Sequence, residues 1–227
     1  MGSVALAEEL LLLAYDDESG RATGSTIGLD LGMAAAVLVD LALAGRVAYV
    51  GGMIVATNAD PVGEPIADAV LTRVAGDTPH TPDSWIQRLR HGLRDRVLAD
   101  LCARGVVCDV DETMADGFNH LHRYPTIDPS VEADVRARLS RALIGDEQPD
   151  ERTAALATLV AAVRMEPALG LTGADVAAAH RRLEEISDHA GFTGSVSMEE
   201  SSIRPSVALV VAVLVKAIQT ALGTARA

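Results

Sequence analysis

Arginines concentrate between Trp85 and Arg104, and arginine is the residue whose planar fork matches two oxygens of a phosphate at once. In that stretch Arg88, Arg90, Arg94, Arg96 and Arg104 stand against only Asp95 and Asp100, a local charge of +3 in a chain whose formal net charge is -13. A cationic island against the trend of its own chain suits an anionic, phosphate-bearing ligand. The plain alternative is a solvated outer face with no specific partner.

Other groupings offer less. His120 and His122 are two apart, so on a strand both would point to one face, as metal ligands must. No third ligand stands near them in sequence, and exposed histidines on a hairpin account for the pair equally well. Asp16, Asp17 and Glu18 could hold a divalent ion, or simply form the polar turn that ends a helix. Gly24, Gly28 and Gly32 follow no strand and precede no Gly-Lys-Ser, so they make no phosphate loop. No serine lies in a nucleophile elbow, and nothing pairs an acid and a base with a nucleophile. The expectation is a protein without catalytic residues, metal or cofactor.

The arginine island needs a rigid support, and the chain offers helices. Hydrophobic residues make up 49% of it and aromatics only 3%, so its core must be aliphatic and helix-rich. Lys216 is the single lysine beside 18 arginines, the usage of a GC-rich bacterial genome. The acidic balance disfavours general nucleic-acid binding, which displaces counterions with a broad basic surface. A local patch still acts over about 10 Å at ordinary salt. Cys102 and Cys108 match no metal or redox spacing and fit a reduced cytosol. Glu8 and Glu9 interrupt the first apolar stretch, which argues against a signal peptide. The run Val207 to Val215 is short for a membrane span and reads as a buried C-terminal helix.

Helices are expected over Val4–Tyr15, Leu29–Ala44, Pro65–Val74 and from Pro82, capped by Thr81, to Arg104. In the last of these Trp85, Leu89, Leu93, Val97 and Leu101 recur every four residues, forming an apolar stripe flanked by the arginines. Further helices are expected from Asp128–Pro129 to Gly145, and over Arg152–Val163, Ala174–His189 and Ser206–Leu222. Two β-rich runs split by Gly51-Gly52 predict one hairpin. Val106–Val110 and Phe118–Tyr124, either side of a polar turn, predict a second. The fold class is mainly α: one globular helical domain over residues 1–227 with two surface β-hairpins. A sub-lobe boundary is placed near residues 146–150.

In this order the segments resemble the Golgi phosphoprotein 3 family of phosphoinositide-binding adaptors. The resemblance rests on Leu6-Ala-Glu-Glu-Leu-Leu-Leu-Leu13, the acidic turn Asp16 to Gly20, and Asp40-Leu-Ala-Leu-Ala-Gly-Arg-Val47. It continues through Pro61-Val-Gly-Glu64, Asp68-Ala-Val-Leu71, Ser84-Trp-Ile86, Leu93-Arg-Asp-Arg-Val-Leu98 and Arg104-Gly-Val106. It implies a non-enzymatic peripheral membrane protein in the cytoplasm, with a shallow basic pocket for phosphatidylinositol 4-phosphate. Carried over position by position, Arg94 keeps one pocket arginine and His91 replaces the other basic residue of the central helix. Ser25 stands where the family has a tryptophan, and Ala34 where it has a further arginine. Arg90, one helical turn before Arg94, is the natural compensation. Met114, Phe118 and Leu121 on the second hairpin are the expected membrane contacts. The partners expected are an anionic lipid head group, a membrane surface and a possible protein partner, with no nucleic acid. Two other readings stay open: a protein-interaction scaffold that has dropped the lipid, and a winged-helix regulator with Trp85–Arg104 as recognition helix.

Overall fold

Ser25 decides where the central helix begins. Its hydroxyl accepts the Gly28 N–H at 3.1 Å, so α2 spans Thr26–Leu43 and starts three residues ahead of the Leu29 expected from its apolar run. Every residue from Leu31 to Val39 is buried, so α2 is the axis on which the other elements pack. The computed structural model describes residues 4–17, 19–113, 120–145, 149–170, 174–189 and 207–224.

α1 (Leu6–Ala14) lies along α2 and is closely packed there, since a Cβ on Gly32 would meet Leu10 Cδ2 at 2.8 Å. A hairpin follows, β1 (Val47–Val50) with β2 (Met53–Ala56), in the register Val50↔Met53 that Gly51-Gly52 implies. α3 (Pro65–Gly76) is capped by Glu64 and α4 (Pro82–Leu89) by Thr81, each with proline in its first turn. Trp85 of α4 is fully buried, and its indole N–H donates to the Ile54 carbonyl at 3.4 Å.

The expected Pro82–Arg104 helix is in fact two. Gly92 adopts φ 70°, which closes α4 and opens α5 (Leu93–Ala103). The apolar stripe of Trp85, Leu89, Leu93, Val97 and Leu101 is nonetheless wholly buried, so the break bends the rod without turning its face from the core. The second hairpin is shifted as well. Val106 and Val107 are buried in the core and meet the chain beyond β4 through a single bridge, Val107↔Thr126, so the continuous ladder is β3 (Val110–Thr113) against β4 (His120–Arg123).

α6 (Pro129–Ile144) runs from its Asp128 cap to Gly145. α7 (Glu151–Ala162), a 3-10 turn (Glu166–Leu169), α8 (Ala174–His189) and α9 (Val207–Thr224) complete the described elements. The architecture is mainly α, with nine helices and two antiparallel hairpins among the described residues. One buried cluster draws residues from Leu6 to Ile218, on both sides of residues 146–150.

By length and composition α2 and α9 could each cross a membrane. α2 is enclosed by the core. α9, at 18 residues longer than the apolar run foretold, buries Val210, Val211, Leu214, Ala217 and Ile218 and leaves its other apolar positions partly covered.

Candidate functional site at the α4–α5 corner

The break at Gly92 makes a corner, and four cationic or titratable residues surround it. Arg90 ends α4, exposed His91 precedes the glycine, and Arg94 and exposed Arg96 lie in the first turn of α5. No side chain caps that turn. Amide N–H groups at a helix start carry partial positive charge and attract anions, so the corner adds to the field of its side chains.

Behind the corner stands a residue that the sequence reading missed. Asp30, in the second turn of α2, places Oδ1 3.0 Å from Arg94 Nε and accepts a hydrogen bond from Nη2 to Oδ2 at 3.1 Å. The pair is half-sunk, with the two side chains 19% and 26% exposed. Burial pushes the Asp30 carboxyl above the usual range, while Arg94 and Arg90 pull it back. Arg94 also acts on Tyr15, whose pKa is raised by burial against the pull of that guanidinium. Arg90 Nε is buried and has no hydrogen-bond partner among the described residues.

Structure corrects the picture of a local surplus of three positive charges. Arg88 pairs with Asp77 at 3.5 Å, and Arg104 with Asp100 at 2.8 Å and with buried Glu8. With Asp30, Asp77 and Glu8 added, five arginines face five carboxylates. The island is locally near neutral, and Arg90, His91, Arg94 and Arg96 lie close in sequence on either side of the Gly92 break, with Arg94 paired to Asp30. A single recognition helix from Trp85 to Arg104 is not formed, because Gly92 splits the stretch into α4 and α5.

The other predicted site residues lie as follows. Ser25 is exposed and serves as the α2 cap. Ala34 is fully buried one turn beyond Asp30 and offers no surface. Leu121 lies on β4 opposite Glu112, but its side chain is outside the described residues, as are Met114 and Phe118.

The hairpin that carries them is tied to the corner. Tyr15 meets Tyr124 edge to face with ring centroids 5.9 Å apart. The acidic turn is stapled to the hairpin base: Tyr124 N–H donates to the Gly20 carbonyl at 2.8 Å, and the Thr126 hydroxyl to Asp17 at 2.7 Å. Asp16 accepts the Ser19 N–H at 2.8 Å, so both aspartates serve the turn. His122 is committed to Asp109 at 2.9 Å, and that hydrogen bond raises its pKa. Among the described residues no group of three or more metal-ligating side chains converges.

The model of the family Golgi phosphoprotein 3 (GPP34) matches residues 6–220. The chain belongs to the Golgi phosphoprotein 3 family. That match runs from α1 into α9, so the corner, the acidic turn and both hairpins all fall inside the Golgi phosphoprotein 3 region. A search of curated proteins returns no match to the chain.

Proposed function

We propose that this chain is a non-catalytic, peripheral membrane adaptor of the cytoplasm that docks a phosphate-bearing lipid head group at the α4–α5 corner. The observation that carries the reading is the corner itself. Gly92 separates Arg90 and His91 from the start of α5, whose first turn carries Arg94 and Arg96 and has no side-chain cap. Arginine forks and free amides together suit a phosphate with several open oxygens. Family membership selects phosphatidylinositol 4-phosphate as the lipid to try first. In this reading the second hairpin rests on the bilayer and Met114, Phe118 and Leu121 are its apolar contacts; the ring contact of Tyr15 with Tyr124 ties the base of that hairpin to the end of α1.

Flotation on phosphatidylcholine vesicles with and without phosphatidylinositol 4-phosphate tests this. His91 and Arg96 are exposed, so His91→Glu combined with Arg96→Glu reverses the charge without disturbing the core. Wild type floats with the doped vesicles, and the double variant stays in the soluble fraction at an unchanged melting temperature. Equal flotation of the two proteins overturns the reading.

A second reading has its own support. Ser25 and Ala34 replace two pocket residues of the family, and Arg94 is already held by Asp30. Val50 and Met53, 60% and 36% exposed, put apolar surface at the tip of the first hairpin. These features suit a protein-interaction scaffold without lipid dependence. Recovery of one stoichiometric protein partner, lost in Val50→Asp and indifferent to vesicles, is the result that favours it.

A further inference from the structure

We propose that one proton shared between Glu132 and Asp17 latches the acidic turn to α6, and that its loss as pH rises frees the turn from the helix. The basis is a buried oxygen with no donor. Glu132 lies in the first turn of α6, and its side chain is only 3% exposed. Its Oε1 receives Arg136, whose Nε donates at 2.6 Å. Its Oε2 is buried and has no hydrogen-bond donor among the described residues. The group that stands beside it is a second carboxyl, that of Asp17. Two ionised carboxylates only accept hydrogen bonds, so at this range they repel. A proton held between them turns the contact into an O–H···O bond. Burial assigns that proton to Glu132, because Asp17 is exposed and its Oδ1 already accepts the Thr126 hydroxyl at 2.7 Å.

Arg136 does not remove the need for the proton. Its guanidinium meets Oε1 and also donates to the Ala168 carbonyl, which leaves Oε2 uncovered. The charged groups acting on Glu132 are Asp17 from the turn, which opposes ionisation as burial does, and Arg136 from α6, which favours it. Together they hold the carboxyl at about 7 in place of 4.5. The latch is therefore whole near the ordinary value, weakens as pH rises, and is lost as pH climbs through about 7. Its other end is built into the turn. The Gly20 and Asp17 carbonyls accept the Tyr124 and Thr126 N–H groups, at 2.8 and 3.3 Å, so a turn pushed off α6 loosens the base of the second hairpin with it.

Native-state hydrogen exchange of the full chain at pH 5 and pH 7.5 tests the device. It is read at the Tyr124 and Thr126 amides and corrected for the intrinsic pH dependence of exchange. In wild type the opening constant at these amides should rise by about tenfold or more between the two conditions, as a carboxyl that titrates higher in the closed state than in the open one requires. The opening should also be insensitive to low urea, because releasing a turn exposes little surface. Glu132→Gln supplies a permanent N–H to Asp17 in place of the shared proton and should hold the opening constant level. Asp17→Asn removes the facing charge and should shrink the rise, so that a folding defect in one variant does not decide the result. A wild-type constant that stays level overturns the latch. So does a rise as large as that of wild type in either folded variant. Amides at Tyr124 and Thr126 that exchange only together with those of α2, as urea unfolds the whole chain, overturn it as well.

Discussion

Gly92 and Gly20 both hold left-handed backbone, at φ 70° and 62°, and comparing them shows what a single residue contributes here. A Cβ on Gly92 would meet nothing within 4 Å, so Gly92→Ala is charged only the conformational penalty, about 1 to 2 kcal/mol. Gly20 is different. Its added Cβ would lie 2.4 Å from the Pro125 nitrogen and 2.6 Å from the Tyr124 nitrogen, backbone atoms that cannot swing aside. Gly20→Ala should therefore cost clearly more than Gly92→Ala, roughly 3 kcal/mol or above. It should also pull the acidic turn off the hairpin base. Urea unfolding of the two variants checks the order, and equal costs would mean that the stapled turn bears no load. The Gly92 variant has a second readout, because it weakens the bend that gathers Arg90 and His91. Its vesicle binding should fall further than its stability does.

At the scale of elements, the buried charges of α1 tie the helices together. Glu9 receives Arg138 of α6 at 2.5 Å and Arg152 of α7 at 3.5 Å, and Arg152 reaches Asp40 of α2 at 2.5 Å and the Val4 carbonyl. Asp40 in turn accepts the Leu6 N–H at 2.8 Å, satisfying an amide at the start of α1. Removing Arg152 leaves two buried carboxylates without their shared cation, so Arg152→Ala should cost about 3 to 5 kcal/mol. Arg152→Lys should recover only part, since one ammonium cannot span both carboxylates with a flat fork. Chemical denaturation of both variants measures this. Little of the network was legible in the sequence. Glu8 and Glu9 read simply as acids inside an apolar stretch, because Arg138, the partner of Glu9, lies 129 residues away. Local patterns fared better. The caps at Thr81 and Asp128, the Gly51-Gly52 turn and the stripe from Trp85 to Leu101 all follow from neighbours within a few residues. The bend at Gly92 escaped notice because the four-residue spacing continues through it. The lone glycine was the available signal. At the candidate site, Arg90, His91 and Arg94 stand out in the sequence by residue type and spacing. Asp30 does not, since its pairing crosses 64 residues and depends on how α5 leans on α2.

For the molecule as a whole, the direction of the carboxyl shifts sets how stability follows pH. Glu132, which is 2% exposed, is pushed up to about 7, chiefly by burial and then by its hydrogen bond with Asp17, against the pull of Arg136. Glu9 and Asp40 are also raised by burial, though their arginines oppose it. A carboxyl whose pKa is higher folded than unfolded binds its proton more tightly in the native state. Its contribution is complete below the ordinary value of 4.5 and disappears as pH climbs through about 7. For Glu132 alone that contribution is up to about 3 kcal/mol. Asp77 and Asp128 act in the opposite sense. Their pKa values are lowered, the first by the Thr78 N–H and the second by the Ser130 hydroxyl, so what they add is lost only as pH falls below the carboxylate range. Both are exposed and weigh little beside Glu132. The net charge of -13 works in the same direction as Glu132, because deprotonation adds to self-repulsion in the compact state. The chain should therefore be most stable in mildly acidic buffer near the ordinary carboxylate value of 4.5 and lose stability as pH rises from there to about 7. Glu132→Gln, which stays neutral throughout, should flatten that decline and match or exceed wild type above pH 8. Calorimetric melting across the range decides it. A wild-type profile no steeper than that of the variant would mean that Glu132 is already ionised in the folded chain, its charge fully met by Arg136.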